Sequence, residues 1–229
     1  MIKGLIFDYG GTLDTNGCHW GKMIWHAYEH AGVPVSEKEF REAYVHAERV
    51  LGKNPIIGPC DSFLTVLTKK ISIQLEYLRL EGFVDVLVND LYAQVQMYTA
   101  EAVKVLDGLK NRYPLVLVSN FYGNIHTVLD EFGLQHVFSH VIESAVVGVR
   151  KPDPQIFRLG VEALGLRPSE VMVIGDSIDK DMIPAHSIGC HTLWLRGEGW
   201  VDAPSDLSAV DSIIDDFHDV LVVLSHEFA

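Results

Sequence analysis

Positive charge is scarce in this sequence: 229 residues carry 18 Lys and Arg against 31 Asp and Glu, a formal net charge of −13. With no Lys/Arg cluster to offset it, such a chain is repelled by nucleic acid and by anionic membrane surfaces, and neither is expected as a partner. Long hydrophobic runs are also missing. Leu115–Val118 and Val220–Leu224 fall far short of the roughly 20 residues that span a bilayer, so no transmembrane helix is expected. Near the start, Leu5-Ile6-Phe7 is cut off by Asp8, too soon for the apolar region of a signal peptide. Cysteine is rare: Cys18, Cys60 and Cys190 are far apart and form no CxxC pair, which excludes a disulfide framework and a zinc knuckle and points to a reduced, cytoplasmic protein. Apolar residues, by contrast, make up 48% of the chain, which excludes disorder and suits one large domain or a core with a smaller insertion.

Short apolar runs at Ile2–Phe7, Leu115–Val118, Val171–Ile174 and Thr192–Leu195 show no polar alternation, so they read as strands buried on both faces. Amphipathic stretches such as Ala102–Leu109 and Ile156–Leu164 lie between them, the latter closed by Gly165 as a C-cap. This alternation predicts an α/β fold, a doubly wound parallel sheet with helices on both sides. The interval after the first strand is different, because it holds helical patterns and no buried strand. A helix is expected near Gly21–Ala31, stopped by Gly32. A second opens with a capping box at Ser36 and Glu39, carries Phe40, Ala43, Tyr44, Ala47 and Leu51 on one face, and is expected to end at Gly52. After a loop at 53–59, helix resumes over Ser62–Leu80. The division expected is a core of residues 1–15 and 96–229 with an all-α insertion at 16–95.

Four segments stand where an open parallel sheet places its site, at the carboxyl ends of strands. They are Asp8-Tyr9-Gly10-Gly11-Thr12, Ser119-Asn120, Lys151-Pro152, and Gly175-Asp176 through Asp181. Asp8 offers a carboxylate at the end of a buried strand, followed by a glycine turn with backbone N–H groups. Ser119 adds a hydroxyl, Lys151 a positive charge, and Asp176 and Asp181 further carboxylates. Together they describe hard oxygen ligands for Mg²⁺ beside donors for phosphate oxygens.

In the order and spacing of these four motifs the chain resembles the haloacid dehalogenase (HAD) superfamily over nearly its whole length, with the helical insertion in the place of that family's cap. The resemblance implies that Asp8 attacks phosphorus to form an aspartyl-phosphate on a small phosphorylated metabolite. It implies that Ser119, Asn120, Lys151 and the Gly11 turn hold the phosphoryl group. It further implies Mg²⁺ bound by Asp8, the Gly10 carbonyl and Asp176, with Asp181 as the outer acid.

One position departs from the pattern. Phosphatases of the family read Asp-x-Asp-x-Thr, and the second Asp, their general acid/base, is here Gly10. A backbone carbonyl survives the change, so the metal site should as well. The missing acid typically contributes about 10² to 10⁴ in rate, so hydrolysis is expected to be slow, and a silent relative that binds a phosphorylated ligand or a protein is the alternative. Asp14 is the nearest spare carboxylate and is expected to leave the site with the start of the cap. Phosphonatases of the family also have a small residue at this position and use a cap lysine, for which Lys22 and Lys53 are candidates. Dehalogenases lack the second Asp too, but need no metal, so Asp176 and Asp181 count against dehalogenation.

Plainer roles compete for several residues. Ser119-Asn120 could cap a helix, and Asp181 could be the N-cap of a helix entered through Pro184. Asp179 is either surface or a second candidate for the outer metal shell. His26 and His30 share a helix face but lack a third ligand, so they read as cap surface. Trp20, Trp25, Tyr28 and Tyr44 read as cap core with one or two facing the cleft, which Tyr122 and Asn124 would also line.

Overall fold

The structure is a computed structural model that describes residues 1–202 and 204–226. Among the described residues six strands, Gly4–Phe7 (β1), Leu115–Ser119 (β2), His140–Glu143 (β3), Val171–Gly175 (β4), His191–Leu195 (β5) and Ser212–Ile214 (β6), form one sheet. Their order is β3-β2-β1-β4-β5-β6, and every neighbouring pair is parallel. The pleat explains why the strands read as unbroken apolar runs. Leu5, Phe7, Leu115, Leu117, Met172, Ile174, Leu193 and Leu195 point to one core, while Ile6, Val116, Val118, Val171, Val173 and Trp194 point to another.

Nine helices accompany the sheet among the described residues. Trp20–His30 (α1), Glu37–Lys53 (α2), Phe63–Leu78 (α3) and Val84–Leu109 (α4) follow β1 without an intervening strand. Ile125–Glu131 (α5), Ser144–Val147 (α6), Gln155–Leu164 (α7), Ile183–Ser187 (α8) and Asp219–His226 (α9) cover the faces and ends of the sheet. Leu106 of α4, Val128 of α5 and Val220 of α9 fill the first core; Ile156 and Phe157 of α7 and Ala185 of α8 fill the second. This is the α/β Rossmann-like arrangement expected, with β1 between β2 and β4 at the point where the strand order reverses.

The expected capping box is present: Glu39 N–H donates to Ser36 Oγ at 3.3 Å and Ser36 N–H donates to Glu39 Oε2 at 2.8 Å. Gly165 closes α7 at φ 65°, as a left-handed C-cap should. Gly52, however, does not stop α2, which runs on to Lys53. The stop is Asn54, held extended (φ −113°, ψ 133°) because the ring of Pro55 excludes helical backbone in the residue before it. The strands β3 and β6 carry no sequence signal, since both are short sheet edges with exposed or half-buried positions. Helix α4 passes unbroken through residues 95 and 96, where a boundary between core and insertion is expected. It packs on α1 and α3, and near its end Gly108 lies against Leu221 of α9.

Leu117, in the central strand β2, is fully buried. Leu117→Ala is expected to lose about 2–5 kcal/mol of stability by removing buried methylenes and leaving a cavity, read as a lower urea midpoint with an unchanged slope.

Candidate active site

Parallel pairing does the first part of the assembly. β1 lies between β2 and β4, so their carboxyl ends bring Asp8, Ser119 and Asp176 to one edge of the sheet. Asp8 continues the ladder through its N–H to Ile174 O at 3.0 Å. Lys151 arrives from the loop before α7, and its ammonium sits 2.6 Å from Asp8 Oδ1 and 2.7 Å from Asp181 Oδ1. All three side chains are almost wholly buried. Asp181 belongs to a wide helical turn, Ile178–Met182, and also accepts the Ser177 N–H at 3.1 Å. It is therefore not a helix cap, a role that Ser177 takes by accepting from Lys180 N–H. Asp179, two residues away, is exposed.

Asp176 is positioned from two sides. Its carbonyl accepts the Trp194 Nε1–H at 2.8 Å, and Thr12 Oγ1 donates to its Oδ1 at 3.3 Å. Gly11 has φ 98°, and a Cβ there would run into the Asp176 carboxylate, so only glycine fits. Its N–H is bound to Asp14 Oδ1 at 2.7 Å, which leaves Gly11 as a turn and not as a donor to phosphate. The Asn120 side chain is likewise engaged: Oδ1 accepts the Lys151 N–H at 2.9 Å and Nδ2 donates to the Lys151 carbonyl at 3.1 Å. It fixes the backbone that carries the catalytic lysine candidate.

Asp8, Asp176 and Asp181 each offer a carboxylate oxygen, and these atoms lie within 4.8 Å of one another. Burial pushes the Asp8 pKa up to about 6 despite Lys151, with the Asp181 charge adding to the rise. Asp176 is raised well above the usual carboxylate range, by burial and then by Asp181 and Asp8. For Lys151, burial works against its charge, but Asp181 and Asp8 outweigh it and hold the pKa above that of an ordinary lysine. Three acids around one ammonium leave excess negative charge in a water-poor site. An all-oxygen donor set with that imbalance fits a hard divalent cation.

Asp14 does not leave the site. It is fully buried, with Oδ1 on the Gly11 N–H and Oδ2 accepting the Trp20 Nε1–H at 3.0 Å. The tight turn after Gly11 folds its side chain back onto the Gly11 N–H, while Oδ2 meets Trp20 at the start of the insertion. Burial raises its pKa to about 7, against the lowering effect of both N–H donors. Trp20, half-buried, faces Gly10: a Cβ on Gly10 would lie 3.9 Å from Trp20 Nε1.

The helical insertion contributes a group that the sequence reading missed. Lys70 of α3 is buried, 2.7 Å from Glu48 Oε1 of α2 and 5.7 Å from the Trp20 ring centre, while Tyr122 donates its hydroxyl proton to Glu48 Oε2 at 3.4 Å. Burial disfavours its charge, yet Glu48 and its neighbours hold the pKa well above that of a free lysine. An ammonium so held is a poor Schiff-base nucleophile. Lys53 is exposed, and Lys22 lies 3.5 Å from Glu37 and 3.6 Å from Glu198. A signal for Lys70 was present: it and Gln74 interrupt, at i and i+4, the otherwise apolar stripe of α3. Asn124 ties the core to the insertion through Nδ2 to Asp61 O at 2.7 Å. His26 pairs with Glu29 and Glu198 at the surface and His30 with Asp90.

A sequence profile of haloacid dehalogenase-like hydrolases matches residues 2–189, and the chain belongs to that family. It is 33% identical over 106 residues to phosphoserine phosphatase of Thermus thermophilus, covering 46% of this chain and 40% of that one. It is 24% identical over 204 residues to glyceraldehyde 3-phosphate phosphatase of Methanothermobacter thermautotrophicus, 86% and 87% of the two chains. Against four curated relatives the matched stretch spans 29–48% of the relative's length. Among solved structures, a HAD phosphatase from Thermococcus onnurineus superposes with TM-score 0.56 at 21% identity, over 97% and 98% of the chains. A 2-haloacid dehalogenase from Pseudomonas syringae pv. Tomato gives 0.55 at 19%, over 99% and 100%. The fold thus serves both reactions, and the side chains must decide between them.

The raised pKa of Asp14 fixes a sign. The neutral acid is the form the fold favours, so its contribution is complete below the unfolded pKa near 3.8 and is lost as pH rises through about 7, ~4 kcal/mol in all. The stability difference between wild type and Asp14→Asn is expected to shrink as pH goes from 4 to 8, measured by urea unfolding without divalent cations.

Proposed function

We propose that the protein is a Mg²⁺-dependent phosphohydrolase that cleaves a small phosphorylated metabolite through an aspartyl-phosphate on Asp8. The observation that carries this reading is the cluster of buried Asp8, Lys151 and Asp181 with half-buried Asp176, which a simple turn or an exposed loop charge would not produce. Asp8 Oδ forms a bond to phosphorus as the ester P–O bond breaks, and water then cleaves the acyl phosphate and restores the carboxylate. Lys151 and Ser119 hold the transferring oxygens, with the Asn120 backbone beside them. Asp8, Asp176, Asp181 and the Gly10 carbonyl would hold Mg²⁺, which supplies charge neutralisation for the phosphoryl group. Residues 16–95 act as the cap, bringing Trp20, Glu48 and Lys70 over the site to face the substrate's leaving group and exclude water.

Gly10 favours a second reading, a weak or silent relative that binds a phosphorylated ligand. The assay separates them. Wild type is expected to release phosphate with Mg²⁺ and to stop when EDTA is added, and Asp8→Asn is expected to lose at least about 10³-fold. Mg²⁺ should also raise the Tm of wild type but not of Asp176→Asn. Turnover that survives EDTA or Asp8→Asn overturns the mechanism. A Tm shift with no turnover selects the silent relative.

A further inference from the structure

The reaction proposed above needs a proton at the leaving oxygen, and Gly10 has no side chain to supply one. The place a Gly10 Cβ would take opens onto the indole edge of Trp20, with Nε1 at 3.9 Å and Cδ1 at 4.0 Å and nothing else within 4 Å. One carboxylate grips both borders of that space. Asp14 Oδ1 holds the N–H of Gly11, the peptide group directly following Gly10, and Asp14 Oδ2 holds the indole N–H that faces it.

We propose that Asp14 is the general acid/base of this site, its carboxyl standing beside Gly10 in place of the acid that Gly10 lacks. This rests on the phosphohydrolase reading. Other ionisable groups near the cleft are committed elsewhere. Asp181 is bound to Lys151 and to the Ser177 N–H, and Glu48 is paired with Lys70 and kept below the usual carboxylate range. His19 accepts the Gly21 N–H at Nδ1, and burial lowers its pKa to about 4, so it stays neutral. Of the acids whose pKa is raised, Asp14 stands outside the Asp8, Asp176 and Asp181 group, and its Oδ2 rests on the Trp20 indole N–H.

The proton balance closes. As Asp8 Oδ bonds to phosphorus and the P–O ester bond breaks, the Asp14 carboxyl proton passes to the departing alkoxide, directly or through one water. The resulting carboxylate then takes a proton from the water that attacks the aspartyl-phosphate. The products are alcohol and phosphate, with Asp8 as carboxylate and Asp14 protonated again. In this geometry Trp20 is a positioning residue: its N–H holds Oδ2 of the buried carboxyl until the indole moves aside and a leaving oxygen takes its place.

The test uses the leaving group. With Mg²⁺ saturating, kcat/KM is measured for an alkyl phosphate such as glycerol 2-phosphate and for 4-nitrophenyl phosphate, whose leaving group needs little protonation. Asp14→Asn is expected to lower the alkyl value by about 10² to 10⁴ and the nitrophenyl value by less than about 10-fold. A burst of nitrophenolate equal to the enzyme should appear, because the trapped aspartyl-phosphate lacks a base for its hydrolysis. Adding Gly10→Asp to Asp14→Asn should restore alkyl turnover. Equal losses on both substrates without a burst, or an alkyl value within about 3-fold of wild type, overturn the proposal. If Asp14→Asn does not fold, Asp14→Ser, which still accepts from Gly11, is decided by the same outcomes. Wild type that turns over with Asp8 but without dependence on Asp14 sinks this inference alone; wild type with no Asp8-dependent turnover sinks the function as well.

Discussion

The ammonium of Lys151, held between Asp8 and Asp181, is the contact on which the site depends. A charge buried this deeply is tolerated only when paired, and breaking such a pair leaves an ion stranded in low dielectric. The pair forces three distant parts of the chain together: the end of β1, the loop before α7 and the turn after β4. Each is anchored independently, Asp8 by the ladder to Ile174, Lys151 by the Asn120 amide, and Asp181 by the Ser177 N–H. The parallel sheet supplies these anchors because neighbouring strands all end on the same side.

The balance of charge then links the two ligands of the proposed reaction. Asp8, Asp176 and Asp181 already exceed the one ammonium, and the pKa values of Asp8 and Asp176 are raised first by burial and then further by the neighbouring carboxylates. A phosphoryl group would bring further negative charge into the same space. Under the proposed function it enters only with a cation, so metal and phosphate stabilise each other's binding by a reciprocal coupling. The fold alone does not decide the chemistry, since a dehalogenase and a phosphatase share it.

Much of this was legible in the sequence, for reasons that also mark the limits. The four central strands are buried on both faces and therefore unbrokenly apolar, whereas β3 and β6 are edges whose exposed positions erase the pattern. Asp8, Ser119 and Asp176 were readable because each stands at a strand end, which has a fixed place in a parallel sheet, whereas Lys151 comes from the loop between α6 and α7 and not from a strand end. Gly52 misled because a glycine in a helix is a weak stop compared with the steric demand of Pro55. Lys70 was passed over because a lysine in a helix is usually solvated. Its burial follows from packing between α2 and α3, which pairing with Glu48 makes tolerable.

Asp14 shows the deeper limit. Read one position at a time, Gly10 is an acid lost and Asp14 a carboxylate on its way to the cap. Spacing along the chain could not relate them, because their relation runs through the Gly11 backbone, turned at φ 98°, and through the indole of Trp20. Gly11 is glycine because Asp176 occupies the space of its Cβ, and that same turn brings the Gly11 N–H to face Asp14. The constraint that seats the Asp176 carboxylate therefore also seats Asp14. A side chain at position 10 would stand in front of Trp20, where under the proposed mechanism Asp14 Oδ2 meets the leaving oxygen. Position 10 itself is not closed to a side chain, since a Cβ there meets only the Trp20 indole at 3.9 Å; under the proposed mechanism it is the turn at Gly11 that lets Asp14 supply the carboxyl group that Gly10 lacks.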